Sequence, residues 1–551
     1  MLDAKQLIYD NLKNFLERKN IDIDFDVSPV TNLSFGDFTS NIALRFTQGK
    51  LPKVNPSEIA DEIIKFLSES VDIKEVFEKM EVAGPGFINF YLSKTYLQEV
   101  LNKIVQDKAE FGKVKTKREQ KIIVEFGDPN PFKEIHIGHL RNFCIGECFC
   151  NLLESQGNTV TRANYQGDVG LHVAKALWGL MKDEEKFLDS SLSNDEKVKM
   201  LASAYVKGAT EYENNDEAKK EINEINKKVY EDIEEIHQIW EEGRKVSLEH
   251  FEDLYKRIGI SYDKYFFESV TAKEGKEIVK ANVPDVFEES DGAIVYRGEK
   301  EGLHTRVFLT SQGYATYEGK DLALSILKNK DESYDQSIIL TGSEQLEYFQ
   351  VMLAALSKIE PELASKTRHL IFGHVRLKDG KMSSRTGDII SSSWLLDSAS
   401  KKVREAFPEV ESATAEKIAV AAVKYSMLKF SIPSDIHFSF EESISMEGNS
   451  GPYILYSYVR TRSVLGKAGK ESSEGTVNSE QSREETNLLR FMAQYPYVVQ
   501  NAAEEFAPNL LCNYLFELSQ KFNLFYQKHK IIGSESEEFR LKLTEAVGQT
   551  I

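Results

Sequence analysis

Residues 122–139 read Ile-Ile-Val-Glu-Phe-Gly-Asp-Pro-Asn-Pro-Phe-Lys-Glu-Ile-His-Ile-Gly-His. Ile122 to Phe126 is a short β-branched run of the kind that fills a buried parallel strand. The Gly-Asp-Pro-Asn-Pro stretch breaks it with a turn, and from about Gly138 to Ser155 the pattern is helical. Strand, tight turn and helix are the opening of a doubly wound nucleotide-binding unit, so an α/β Rossmann-like domain is expected at the centre of the chain. His136 and His139 stand three residues apart around Gly138 at the helix start. There both imidazoles can face one ligand, and the partial positive charge of the helix N-terminus makes phosphate the natural guest. His-x-x-His is also a zinc spacing, but no third or fourth ligand stands nearby, and an ordinary structural pair of histidines would read the same way in isolation.

Working outward, further strands are expected at 159–164, 337–341 and 368–372, with helices between them. Gly380-Lys-Met-Ser-Ser-Arg-Thr-Gly387 follows the last of these as a glycine-bounded, basic, hydroxyl-rich loop. Its Lys381 and Arg385 can neutralise a triphosphate whose charge moves toward the leaving pyrophosphate. Tyr317-Glu-Gly-Lys-Asp321 puts a phenol and a carboxylate one helical turn apart on one face, a pair that alone is an ordinary helix contact.

Residues 1–112 read as a small α+β domain. It contains a helix capped by Asn55 or Ser57, with Ile59, Ile63, Ile64 and Leu67 on one face, and a Gly84-Pro-Gly86 turn that enters a strand. The α/β domain spans 113–405 and carries a charged helical insertion at about 180–257, read as a solvated hairpin. Residues 406–551 are helical almost throughout, interrupted by a polar stretch at 471–485.

The chain has 551 residues and a formal net charge of −19. The insertion holds 13 basic and 21 acidic residues, so it supplies −8 of that total. Such acidity disfavours arbitrary nucleic acid. Residues 368–387 carry five Lys+Arg against one Asp, however, and 452–470 carry four against none, which predicts an uneven surface with a basic track. Four cysteines, three of them between 144 and 150, exclude a disulfide scaffold and read as apolar positions of a buried helix. The amphipathic, charged start and the lack of any run of 18 apolar residues predict a cytoplasmic protein with no membrane partner.

The pair His-Ile-Gly-His and Lys-Met-Ser-Ser-Arg resembles the signature of class I aminoacyl-tRNA synthetases, whose catalytic domain is a Rossmann-like fold of the HUP type. Three further stretches make the chain similar to the arginyl-tRNA synthetases. They are Val124–Asn130, akin to that family's V-E-F-S-S-P-N segment, Val82–Tyr91 together with Phe35–Leu44, and Glu447–Tyr456 together with Pro508–Leu518. The resemblance implies ligation of L-arginine to tRNA-Arg through an arginyl-adenylate, using ATP with Mg²⁺, with no structural metal, a monomeric protein, and activation that needs bound tRNA. It makes 1–112 a tRNA-elbow domain contacting RNA through Phe35, Asp37 and Asn89. It makes 406–551 an all-helical anticodon-binding domain that uses Tyr453 and Arg460 and that stops before the family's usual final segment. ATP falls to His136, Gly138, His139, Lys381, Met382 and Ser383. In the arginine pocket Tyr317 and Asp321 read the guanidinium, Glu125 and Asn130 stand near the α-amino group, and Gln345 completes the site. Ser384 replaces the second lysine of the family's K-M-S-K-S loop, and Lys133 stands where it can supply the missing charge, with help from Arg385. Two other readings share these motifs: a different class I synthetase or small nucleotidylyltransferase, and a non-catalytic tRNA-binding paralogue. A small nucleotidylyltransferase has no use for the flanking domains, and a non-catalytic paralogue predicts damaged motifs.

Overall fold

The computed structural model describes residues 2–30, 32–49, 55–114, 119–378, 390–469 and 481–551. Its centre is a sheet of five strands: β1 (Lys121–Glu125), β2 (Thr159–Gln166), β3 (Lys264–Phe267), β4 (Gln336–Gly342) and β5 (Thr367–Phe372). They lie in the order β5-β4-β1-β2-β3, and every neighbouring pair is parallel. The order reverses between β1 and β4, where crossovers leave to opposite faces and the carboxyl ends of the strands open a crevice. Helix α1 (Ile137–Ser155) follows β1 and buries Leu140, Phe143, Phe149 and Leu153 against the sheet. Cys144 and Cys150 are buried on this helix, and burial pushes the Cys144 thiol up to about 12, so they pack as apolar residues.

The insertion is more than a solvated hairpin. Helices Asn194–Asn214, Asp216–Glu231 and α2 (Glu234–Ile258) pack on Leu171–Leu180 around their own core, which includes Leu177, Leu201, Ile222 and Ile239. Most of their charged residues face solvent, and the buried Lys197 is paired with Glu242, which reconciles the acidity with a folded unit.

In the N-terminal unit, strands run in the spatial order Val27–Pro29, Phe38–Ser40, Phe87–Leu92, Phe77–Ala83, all antiparallel. Asn55 caps helix Pro56–Leu67 by accepting from the Ser57 N–H, and Ile59, Ala60, Ile63 and Leu67 are its buried face. This unit shares one apolar core with the C-terminal helices: Ile104, Phe38 and Leu101 belong to the same cluster as Leu489, Phe522 and Val547. Polar contacts pin the junction. Arg490 Nε lies 2.7 Å from Asp37 Oδ1, Asp37 Oδ2 accepts from the Leu92 N–H at 2.8 Å, and the Tyr497 hydroxyl donates to Asp3 at 2.9 Å.

Helix Ser412–Leu428, read with the C-terminal domain, buries Ala415, Ala419, Val423 and Met427 in the core of the α/β domain. The C-terminal helices proper begin at Gly451–Ala468. Part of the expected basic track is engaged: the Arg368 guanidinium lies 4.6 Å over the Phe506 ring, and Lys378 pairs with Glu442. Lys381 and Arg385 fall outside the described residues.

Candidate active site

The crevice at the β1/β4 reversal is a cleft of about 470 Å³, lined by Asp128, Asn130, His136, His139, Gln345 and His374 among others. His136 is the N-cap of α1, and its Nδ1 accepts the Gly138 N–H at 3.1 Å. The His136 N–H in turn donates to His139 Nδ1 at 3.2 Å. Both Nδ1 atoms are therefore acceptors, which fixes the Nε2–H tautomer on each ring. The rings lie 3.8 Å apart between centroids. Burial lowers both imidazoles below the usual histidine range, reinforced at His139 by His136 and at both by the Lys133 ammonium. Two neutral N–H donors beside a helix N-terminus suit phosphate oxygens.

Lys133 is partly buried, with its ammonium 5.6 Å over the Tyr205 ring, and burial lowers its own affinity for a proton. The turn that carries it is held rigidly. Phe132 has φ +67°, its N–H donates to Ser247 Oγ at 3.0 Å, and its ring lies where a Cβ on Gly243 would come within 2.3 Å. Gly243 on α2 is thus required by the approach of this ring.

Lys381, Met382, Ser383 and Arg385 lie outside the described residues. The segments on either side of 379–389 are fixed at the cleft. Strand Val375–Leu377 pairs with Ile436–Phe438, the Ile137 N–H donates to Ile390 O at 2.8 Å, and the Ser392 N–H donates to Ile135 O at 2.9 Å. Arg141, fully buried on α1, donates from Nη1 to Gly373 O at 2.6 Å and Ser434 O at 2.8 Å, so the histidine helix also grips the strand that leads into this segment.

Beside the phosphate end lies a second, acidic chamber. Glu125 at the end of β1 is buried and ion-paired with Lys328 of α3 (Tyr317–Asp331). Asp321, one turn into α3, is buried, and the Tyr348 hydroxyl donates to its Oδ2 at 2.8 Å while standing 3.3 Å from Gln345 Oε1. Burial first, and the Glu125 charge second, push the Asp321 carboxyl up to about 8. Glu268 and Lys320 form another buried pair at 2.6 Å. A Cβ on Gly167 would fall 2.2 Å from Asn130 Oδ1 and 3.2 Å from Glu268 Oε1, so glycine there lets Asn130 and Glu268 converge.

The structure thus brings together His136, His139, Lys133, Glu125, Asn130, Asp321 and Gln345. Tyr317 is the first residue of α3 and is 62% exposed, with its ring 5.1 Å from the Lys320 ammonium and Tyr348 in the place beside Asp321. Sequence reasoning missed Tyr348, Glu268, Lys320 and Lys328. Lys328 follows Asp321 at helical spacing, the one local signal that was present.

The expected RNA contacts divide. Phe35 is 57% exposed. Asp37 and Asn89 are buried, Asp37 where Arg490 and the Leu92 N–H take its two oxygens, and Asn89 mid-sheet opposite Thr39 and Glu81. Arg460 lies between the rings of Tyr456 and Tyr526, 4.6 and 4.7 Å away, and the Tyr453 hydroxyl accepts from Asn523 at 3.1 Å. Tyr456 and Tyr526 are both exposed, so the arginine and the two rings form an open, flat aromatic surface of the chemistry that suits base stacking.

Three family descriptions match the chain in order. "Arginyl tRNA synthetase N terminal domain" covers residues 3–92, "tRNA synthetases class I (R), catalytic domain" covers 99–440, and "DALR anticodon binding domain" covers 454–551. The chain is 33% identical to an arginine–tRNA ligase of Treponema denticola, over 91% of this chain and 88% of that protein. It is 31% identical to one of Fusobacterium nucleatum, over 94% and 90%. Its fold is similar to that of the arginyl-tRNA synthetase of Thermus thermophilus, with TM-score 0.81, 23% identity, and coverage of 100% of this chain and 97% of that one.

Proposed function

The chain belongs to the arginyl-tRNA synthetase family of class I ligases, and from that premise we propose how its residues carry out the two-step joining of L-arginine to tRNA-Arg. Arginine lies in the acidic chamber with its guanidinium at Asp321 and its carboxylate toward the histidines. ATP, carried in with Mg²⁺ as its counter-ion, places its phosphates at the N-terminus of α1. The carboxylate oxygen attacks the α-phosphorus, the bond to the bridging oxygen breaks, and pyrophosphate leaves. The Nε2–H groups of His136 and His139 and the Lys133 ammonium take up charge on the phosphate oxygens as it develops. In the second step the 2′-hydroxyl of the terminal adenosine attacks the arginyl carbonyl, its proton is lost, and AMP leaves. No side chain forms a covalent bond. The tRNA elbow lies against the exposed Phe35 loop, and the anticodon loop against Tyr456, Arg460 and Tyr526. In this reading the single chain is the catalytic unit, and the domains meet near 93–98 and 441–453.

The observation that carries this reading is the meeting, at one strand reversal, of two neutral helix-capping imidazoles and a buried carboxylate, Asp321, that forms no salt bridge among the described residues. Arginylation of total tRNA by the purified protein tests it: charging with arginine above all other amino acids is expected, and charging with another amino acid, or none, overturns it. Pyrophosphate exchange with arginine and ATP is expected to require added tRNA; full exchange without it contradicts that part.

Lys133→Ala is expected to lower kcat of arginine activation about tenfold to a hundredfold, with KM for arginine little changed, because the charge acts mainly on the transferring phosphate. Single-turnover measurement of adenylate formation reads this directly, and an unaltered kcat removes Lys133 from the mechanism.

A further inference from the structure

The loop that carries Lys133 leaves the parallel sheet and is anchored in the insertion. Phe132, the residue before it, is buried in the insertion's own core with Leu177, Leu201, Ile222 and Ile239, a cluster separate from the one that holds β1 and α1. The Lys133 ammonium lies over Tyr205, on helix Asn194–Asn214 of the same unit, and forms no salt bridge among the described residues. Its place beside the phosphate site is therefore set chiefly by the insertion, not by the strand and helix that its loop connects. From this we infer that helix α2 is a splint between two strand-end loops of the cleft, and that Gly243 and Ser247 are positioning residues that set the reach of Lys133 to the transferring phosphate. The inference rests on the arginine-ligase reading and deepens the part given there to Lys133.

Two neighbouring rows of α2, each with i,i+4 spacing, make the splint. Trp240 and Arg244 form the first. The Trp240 indole N–H donates to Asp168 O at 2.8 Å and the Arg244 guanidinium to Asp168 Oδ2 at 3.0 Å, with the guanidinium 4.4 Å over the Trp240 ring. Asp168 follows β2 and is fully buried, and it also accepts from the N–H and the hydroxyl of Ser269, just beyond β3, at 2.8 Å each. This row therefore fastens α2 to the ends of two strands. Gly243 and Ser247 form the second row and meet the Lys133 loop. The Ser247 hydroxyl donates to Gly243 O at 2.8 Å and accepts the Phe132 N–H at 3.0 Å, while the bare backbone of Gly243 makes room for the Phe132 ring. One rigid helix thus fixes the Lys133 loop relative to the sheet. In a site sheltered from water the effect of an ammonium on a phosphate falls with distance, so a small displacement of this loop weakens the stabilisation of charge that develops in the transition state while leaving ground-state binding of arginine and ATP much as it was.

Gly243→Ala puts a methyl group 2.3 Å from the Phe132 ring, which must move and take Lys133 with it. In arginine activation with tRNA present, this variant is expected to lower kcat about tenfold, with KM for arginine and for ATP within about twofold. The double variant Phe132→Leu, Gly243→Ala returns the space and is expected to recover most of the loss. In a Lys133→Ala background, Gly243→Ala is expected to change kcat less than about twofold further, since the charge it displaces is already gone. Ser247→Ala frees the Phe132 N–H without crowding the core; it is read in the same way and covers a failure of Gly243→Ala to fold. A wild-type kcat in these variants, a loss carried by KM instead, no recovery in the double variant, or an equal further loss in the Lys133→Ala background would each overturn the inference and leave α2 as a packing element of the insertion. A wild-type kcat in Lys133→Ala alone would strike the part given to Lys133 and this inference with it. Failure of the wild-type protein to charge tRNA with arginine would be a failure of the family reading, and it is scored first.

Discussion

Asp321→Asn is expected to lower kcat/KM for arginine a hundredfold or more, because it strips the charge from a buried carboxylate that otherwise pairs with the guanidinium. The Tyr348 hydroxyl keeps an oxygen to donate to, so the pocket retains its shape and the loss reports charge alone. The same carboxyl gives a pH signature. Burial and the Glu125 charge hold Asp321 up to about 8, whereas the guanidinium pairs with its ionised form. Below that value the free protein carries a proton on Asp321 that arginine must displace, so arginine binding tightens as pH rises from 6 to 8 and levels off above. The limiting slope is about tenfold per pH unit. Burial moves His136 and His139 downward, away from this window. In Asp321→Asn the dependence of kcat/KM for arginine on pH should flatten between 6 and 8; a variant that keeps the wild-type profile would show that another group is titrating.

Arg490→Met is expected to cost about 3–5 kcal/mol of stability, since it leaves Asp37 buried without its cation. Burial already pushes the Asp37 carboxyl above its ordinary range against the pull of Arg490, so removing the guanidinium forces the residue to take up a proton or the junction to open. Urea unfolding measures the cost, and proteolysis should cut first near residues 93–114. The double variant Asp37→Asn, Arg490→Met is expected to recover most of the loss, because a neutral amide has no charge to compensate. Equal instability of the single and double variants would mean that packing of the Arg490 stem, and not charge pairing, holds the junction.

What the sequence disclosed was local. Strand β1, its turn and α1 follow from residues adjacent in the chain, and so do the two histidines at the helix start. Strand β3 and the antiparallel ribbon Glu288–Ser290, Ala293–Tyr296, Arg306–Leu309 went unread, because strands of three or four residues with partial burial carry almost no alternation. The buried pairs were invisible for another reason: Lys328 lies 203 residues from Glu125 and Lys320 52 from Glu268, and nothing local marks such partners. The spacing of Tyr317 and Asp321 was read correctly as one helical turn, yet Tyr317 opens its helix, where side chains lean back past the first turn toward solvent. Asp37 looked like a surface acid until its partner, 453 residues away, came into view.

The core shared by the N-terminal unit and the C-terminal helices has a consequence for how the chain comes into being. On a ribosome adding about 5–20 residues per second, the partners of Phe38 and Leu101 that lie beyond residue 485 emerge roughly 20–75 s later. During that interval the first unit presents an uncovered apolar face to solvent, with the whole α/β domain being made between it and its cover. Slow codons or scarce chaperones in that window would therefore reduce the yield of active protein without touching a single residue of the active site.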